Sequence, residues 1–319
     1  MSAVRLVEVN VGAVVGLTAS FAQQWFSHFT NNFRSLMTHY EPPANISQWI
    51  IALRETTKLE NYTRGWKSRA QYAFAVGTLD IAAKVGLYRQ FNSGWQNNFG
   101  GVDYGFHRKI PTAALAFALA SPISVAIEMA KNAFYADKTF PPNLQKGYTS
   151  YFRALARIPF EEGPYYLFKN TYPLFGRHFL APFTYFLTFD WTIDKFSIMW
   201  RISDVPRWLL ASIAAAFSVT LASFFAYPLS NATKEMVDLW PKKDGICPYD
   251  NNYRKAFHYL WYSDFWNTAF PGLFKNFYWH HAPQWFLTLL LSYKLGVFNY
   301  WRVDIMSGPG DNTNEDSFI

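Results

Sequence analysis

Long runs without charge alternate with polar stretches along the chain. Residues 208–233 carry no charged side chain, and their core reads WLLASIAAAFSVTLASFFAYPL. Residues 110–127, IPTAALAFALASPISVAI, are likewise uncharged. A helix that spans a bilayer needs about 20 mostly apolar residues, so both runs are read as spans; their many Ala and Ser residues suit close helix packing. Residues 9–33, 69–88, 172–189 and 277–300 mix aromatic residues with a few polar groups and are read as weaker spans. For some of these the alternative is a buried helix of a soluble α protein. The two uncharged runs argue against that reading for the whole chain.

The polar stretches also follow a pattern. Three basic segments with helical character, IIALRETTKLE, YFRALARIPFEEG and YRKAFHYLWYSD, each lead into a short turn and then a span. The turns centre on Gly65, Asn170 and Gly272, 105 and 102 residues apart. The repeating unit is span, polar loop, short surface helix, turn, span. Such periodicity marks a repeat architecture. It places short helices near residues 47–60, 148–160 and 251–262. The expected fold class is an all-α membrane protein with six transmembrane helices in three repeats, about residues 9–90, 109–196 and 204–302. They form one membrane domain, 1–306, followed by a flexible polar tail, 307–319. The connection 91–109, rich in Gly and Asn, is read as a long loop, whose aromatic residues suit docking.

Composition sharpens the class. Of 319 residues, 50% are hydrophobic, 20% aromatic and 16% charged; ordinary soluble domains carry roughly 25% charged residues. This excludes a disordered or fibrous chain. The lone Cys247 excludes an internal disulfide framework and a Cys-based zinc site. The net charge of +7 is compatible with nucleic acid, anionic lipid or charge-biased loops, and the scarcity of charge favours the membrane readings over a nucleic-acid partner. Six spans put both termini on one side. The loops 38–69, 129–170 and 234–275 hold 17 Lys and Arg, against 10 on the side of the termini. The N-terminus, MSAVRLVEVN, reads as neither a secretory signal nor a long transit peptide.

The turns carry a family resemblance: Tyr62-Thr63-Arg64-Gly65-Trp66, Leu167-Phe168-Lys169-Asn170-Thr171 and Ala269-Phe270-Pro271-Gly272-Leu273. So do EEGPYYLFKNTYPLFGRHFLAPFTYFLTFDWTIDK in the second repeat, Tyr227-Pro228-Leu229 and FPGLFKNFYWHHAPQW in the third, and ETTKLENYTRGW in the first. Over residues 9–300 the chain resembles the mitochondrial carrier family, whose three repeats of about 100 residues each hold two transmembrane helices and a short matrix helix. The resemblance implies the mitochondrial inner membrane, with the basic loops in the matrix and both termini in the intermembrane space. It also implies cardiolipin or another phospholipid at the turns and following helix N-termini, at Gly65, Trp66, Asn170, Thr171, Gly272 and Leu273. Free amides and the helix dipole bind phosphate there. A tight turn without lipid is the alternative.

Family members carry Pro-X-Asp/Glu-X-X-Lys/Arg on each odd helix, and these charges close the matrix gate. Here Pro122 is followed by Ser124 and Ile127 in the acid and base positions, Pro228 is followed by Ser230 and Thr233, and residues 17–33 contain no proline. The opposite gate survives in part at Asp80 and Asp190, whose alternative role is a helix-end acid facing headgroups or a partner. The family's mid-membrane substrate positions fall at residues 72–77, at Arg177, His178 and Pro182, and at His280, His281 and Pro283. Arg177 suits an anionic solute, or else pairs within the bundle. The histidines lack metal-ligand company, so no metal is expected. No phosphate loop, nucleophile elbow or metal motif appears, which leaves enzymatic chemistry without support.

Two functions remain. One is a carrier fold that has lost transport and packs as an accessory subunit among neighbouring subunits of a large membrane assembly. Carrier-like subunits of respiratory complexes in some unicellular eukaryotes are the precedent, with cytochrome c oxidase or a supercomplex as the suggested host. The other is a divergent exchanger of an anionic metabolite.

Overall fold

The structure is a computed structural model that describes residues 2–37, 45–58, 66–99, 106–139, 141–143, 145–168, 174–200, 206–238 and 282–298, with Lys255, His258, Tyr262 and Phe270. These residues are predominantly helical, and none forms a strand. Helix α1 (Ser2–Met37) and the short α2 (Ile46–Thr57) precede α3 (Trp66–Ala75), which runs through a π-helical turn, Val76–Ile81, into α4 (Ala82–Phe99). The order then recurs. Helix α5 (Phe106–Thr139) is followed by the short α6 (Tyr151–Glu161), a single turn α7 (Tyr165–Phe168), a second π-helical turn, Gly176–Leu180, and α8 (Ala181–Trp200). Helices α9 (Arg207–Asp238) and α10 (Ala282–Lys294) follow, with Lys255, His258 and Tyr262 helical between them.

The long helices α1, α5 and α9 have 36, 34 and 32 residues. One helix, Lys109–Lys138, is long and apolar enough to cross a membrane, and Trp208–Phe224 is a shorter apolar helical stretch, among the described residues. The connection 91–109 departs from the loop expected of it. It is helical through Phe99 and again from Phe106, since extending an existing helix adds one hydrogen bond per residue fixed.

Local sequence accounts for the short helices. Ser150 caps α6, its Oγ accepting the Arg153 amide at 3.2 Å. Tyr151, Ala154 and Ile158, at helical spacing, form its buried face. The Asn45 amide donates to Gln48 Oε1 at 2.8 Å at the start of α2. Asp137, near the end of α5, accepts the amides of Lys146 and Tyr148 and so ties the approach to α6 to the end of α5.

The helices close on themselves. Helix α1 packs on α4, α4 on α5, α5 on α8, α8 on α9, α9 on α10, and α10 on α1. The contact between α1 and the first π turn is a backbone contact. A Cβ on Gly16 would lie 2.1 Å from the Gly77 carbonyl oxygen, and one on Gly12 would lie 2.6 Å from that of Ala82. Gly12 and Gly16 are four residues apart on one face, a spacing of small residues that lets two helix backbones approach closely.

Large apolar side chains point outward on two of the long helices, and small and polar ones stand among the apolar residues inside. Ile110, Leu115, Leu119 and Ile123 of α5 and Trp208, Leu209, Ile213, Phe217 and Phe224 of α9 point outward. Ala113, Ala116, Ala120, Ser121, Ser124 and Glu128 of α5 point inward. Interior hydroxyls bond to their own helix. Ser121 donates to the Phe117 carbonyl at 2.6 Å, and Thr188 and Thr192 each donate to the carbonyl four residues back at 2.6 Å. Such back-bonding lets polar side chains sit in an apolar interior.

Candidate functional site

Ser124, Glu128 and Lys131 follow one another at spacings of four and three on α5, so they share a face. Both π-helical turns pack on this helix. In the first, the Ala82 amide reaches back five residues to the Gly77 carbonyl, the wider ring that defines a π turn and that recurs at functional positions. The two turns carry ionisable residues: Asp80 in the first, Arg177 and His178 in the second. The α5 stripe therefore receives a carboxylate from one side and a guanidinium and an imidazole from the other.

The interior acids are answered within the bundle. Ser124 Oγ donates to Asp80 Oδ1 at 2.5 Å, and Lys84 Nζ lies 2.5 Å from the same oxygen. Lys84 is 2% exposed and sits 5.9 Å above the Trp285 ring. One turn along, Glu128 is clamped on both oxygens. Arg177 Nη1 donates to Oε1 at 2.9 Å, and His178 Nε2 lies 2.5 Å from Oε2. Lys131 rests 4.9 Å over the Tyr72 ring. Farther along the bundle, Lys109 of α5 pairs with Asp190 of α8 at 2.6 Å, both deeply buried.

Between the Ser124 stripe and the Lys109–Asp190 pair lies a cluster of aromatic rings. Phe186 of α8 lies 5.0 Å from Phe117, 5.2 Å from Tyr88 and 5.3 Å from Phe298, centroid to centroid. Phe298, just beyond α10, reaches Tyr88 at 5.7 Å and Phe189 at 5.0 Å. Edge-to-face and tilted pairs at these separations are attractive beyond the area they bury. They tie α4, α5, α8 and α10 together across the middle of the ring. Beyond the other end of the stripe, the Tyr151 hydroxyl of α6 donates to the Ile127 carbonyl at 3.1 Å, and Gln71 of α3 accepts the Tyr151 amide at 3.2 Å.

The positions singled out from sequence fall as follows. Arg177 and His178 come together on Glu128, and Pro182 is buried one turn later. Ser124 stands at the gate-acid position yet binds Asp80 as a donor, and Ile127 is buried beside it. Pro122 lies within α5 and Pro228, buried, within α9. Ser230 and Thr233 lie on α9. Asp80 needs correction as a gate residue equivalent to Asp190. Aligning the π turns sets Asp80 opposite Leu180, and aligning Gly65 with Asn170 sets it opposite Tyr185. It is a mid-bundle acid, not a helix-end one, and Asp190, 1% exposed and paired with Lys109, does not face headgroups either. Trp66 opens α3 with its ring 5.7 Å from that of His28. Gly65, Asn170, Thr171, Gly272, Leu273, His280 and His281 lie outside the described residues.

Sequence reading missed Glu128, the residue that organises the site. It is the first charge after the uncharged run 110–127, so a scan for charge-free spans stops just short of it. The signal was the spacing of Ser124, Glu128 and Lys131 on one helical face. Among the described residues no group of three or more His, Cys, Asp or Glu side chains could hold a metal ion. No model of a known protein family matches the chain, and no curated protein matches its sequence.

Proposed function

We propose that this chain is a six-span membrane protein of carrier-like architecture that does not transport and serves as a structural subunit of a larger assembly in the mitochondrial inner membrane. The observation that carries the reading is that Arg177 and His178 both hold Glu128 and that a cluster of aromatic rings lies beside them in the interior. A transporter presents a central site alternately to its two sides. Here the central guanidinium and imidazole already hold a carboxylate, that of Glu128, and the aromatic layer of Tyr88, Phe117, Phe186 and Phe298 packs across the path. Intramembrane charges are costly and are kept where they are paired or functional; Asp80 is paired with Lys84, Glu128 with Arg177 and Asp190 with Lys109. The outward Leu, Ile and Phe rows supply a surface for lipid and for neighbouring subunits, with cardiolipin at the turns that open the even-numbered spans. A respiratory complex is the host suggested by the resemblance.

A second reading, a divergent exchanger of an anionic metabolite, draws on Arg177, which keeps 24% of its side-chain surface open beside Lys131. Extraction in a mild detergent followed by native electrophoresis separates the two. The subunit reading expects the chain in a band far above its own 36.9 kDa. Migration as a lone monomer contradicts it.

A further inference from the structure

Helix α10 ends in a tight chain reversal. Its last residue is Lys294. The Gly296 amide donates to the Tyr293 carbonyl at 3.1 Å, and the Val297 amide donates to the Ser292 carbonyl at 2.8 Å. Gly296 has a φ of 71°, in the left-handed region. This is the Schellman arrangement, which satisfies the last carbonyls of a helix and sets the residue after the glycine against the final turn, here Val297 against Ser292. A Cβ on Gly296 would meet nothing within 4 Å, so the backbone conformation, not lack of space, calls for glycine. Leu295 is exposed, whereas Val297 and Phe298 are buried.

The reversal carries Phe298 across the ring. In the ring order α1, α4, α5, α8, α9, α10, helix α10 stands opposite α5, and α4 and α8 lie on either side of α5. Phe298 nevertheless meets Tyr88 of α4 at 5.7 Å and Phe186 and Phe189 of α8 at 5.3 and 5.0 Å. A side chain that leaves the helix on one side and touches both neighbours of the opposite helix lies in the interior. Its contact with Phe189 puts it on the Asp190 side of the aromatic cluster. The cluster is joined without it, since Tyr88 reaches Phe186 at 5.2 Å and Phe117 reaches Phe186 at 5.0 Å. Lifting residues 295–298 breaks the turn bonds of Gly296 and Val297 and the ring contacts of Phe298, and leaves the hydrogen-bond ladder of every span intact. A segment held by so few contacts opens locally at a fraction of the free energy of global unfolding.

We propose that residues 295–298 form a hinged stopper: the Gly296 turn seats Phe298 on the aromatic cluster from the Asp190 side, and release of that turn uncovers Ser292, Phe189 and Tyr88 to water while the bundle stays folded. The proposal rests on the reading above, in which the centre of the ring stays closed, and adds to it one movable part and the residue that sets its conformation.

The test is thiol labelling of the full chain in phosphatidylcholine–phosphatidylglycerol vesicles. In a Cys247→Ser background, Ser292→Cys reports on the stopper, and Ser121→Cys, buried on α5, reports on the interior at the Ser124 side of the cluster. The reagent is a charged methanethiosulfonate, supplied on both faces of the membrane. With Gly296 and Phe298 in place, both positions should be protected. Phe298→Ala should speed labelling at 292 at least about tenfold, because labelling follows the fraction of time the segment is open, and should leave 121 protected. Gly296→Val, a branched residue that resists a left-handed φ, should do the same with Phe298 intact. Gly296→Asn, which tolerates that φ, should keep 292 protected. Labelling at 292 that neither Phe298→Ala nor Gly296→Val changes overturns the stopper, as does rapid labelling at 292 before either change. A variant that opens 121 together with 292 also overturns it, because Phe298 is then part of the core. Rapid labelling at 121 in the otherwise native chain removes the closed-centre reading, and the stopper with it.

Discussion

Replacing Glu128 by Gln removes a charge and almost no volume. In the native bundle its two oxygens take one contact each, Arg177 Nη1 at 2.9 Å and His178 Nε2 at 2.5 Å. The neutral amide keeps one oxygen as an acceptor for Arg177, places its NH2 opposite His178 Nε2 and leaves the guanidinium without a counterion. Breaking a buried ion pair by removing one partner costs about 3–5 kcal/mol, chiefly because the remaining charge is stranded. Arg177 is not fully enclosed, with 24% of its side chain open, so solvent screens part of that penalty and the lower end, about 3 kcal/mol, applies. Arg177→Gln strands the carboxylate instead and should cost a similar amount. The double variant Glu128→Gln/Arg177→Gln strands neither charge, and its destabilisation should fall short of the sum of the two single variants by about 2–3 kcal/mol. The assay is unfolding of the purified protein in mixed micelles with a rising fraction of denaturing detergent, read by intrinsic fluorescence and helicity. A Glu128→Gln variant within about 0.5 kcal/mol of wild type, or a double variant as unstable as the two singles added, refutes the claim that Glu128 is the internal counterion.

Three other outcomes follow from the packing. Gly16→Val drives a branched side chain into the Gly77 carbonyl, 2.1 Å from where its Cβ would stand, and should cost at least about 1–3 kcal/mol while raising proteolytic cleavage of α1; unchanged thermal stability would contradict the backbone contact. Phe186→Ala empties the centre of the aromatic layer and should cost about 3–5 kcal/mol, with Leu at the same position recovering part of it in a melting experiment. Asp137→Asn weakens the two contacts that hold the amides of Lys146 and Tyr148, so amide exchange at those two residues should accelerate with little change at Ser124 or Glu128.

The helical segments were legible because each is long and periodic. The short helices expected near 47–60 and 148–160 are present at Ile46–Thr57 and Tyr151–Glu161, since Arg, Glu and Lys interrupt the apolar runs there at helical spacing. The chemistry of the interior was not legible. Asp80 and Asp190 look equivalent in sequence because each follows an apolar residue, Leu79 and Phe189, yet register places Asp80 several residues deeper. The π turns leave no distinct sequence mark, although each adds a residue to its helix turn and so re-aims Asp80 on one side and Arg177 and His178 on the other. Gly12, Gly16 and Gly77 are ordinary small residues until α1 is seen resting on the Gly77 carbonyl. The aromatic layer depends on four helices and the residues after α10 meeting, which single-span periodicity does not carry.

The central claim is that a ring closed by its own side chains does not conduct solute. The purified protein, reconstituted into liposomes loaded with nucleotide, phosphate, keto acid or amino acid, is given the same radiolabelled solute outside, and counter-exchange is followed against protein-free vesicles. The account predicts uptake at the level of the empty vesicles for every solute, with Glu128 holding Arg177 and the Phe186 layer in place. Saturable uptake that depends on internal solute and is abolished by Arg177→Gln contradicts it and makes the α5 stripe a substrate site.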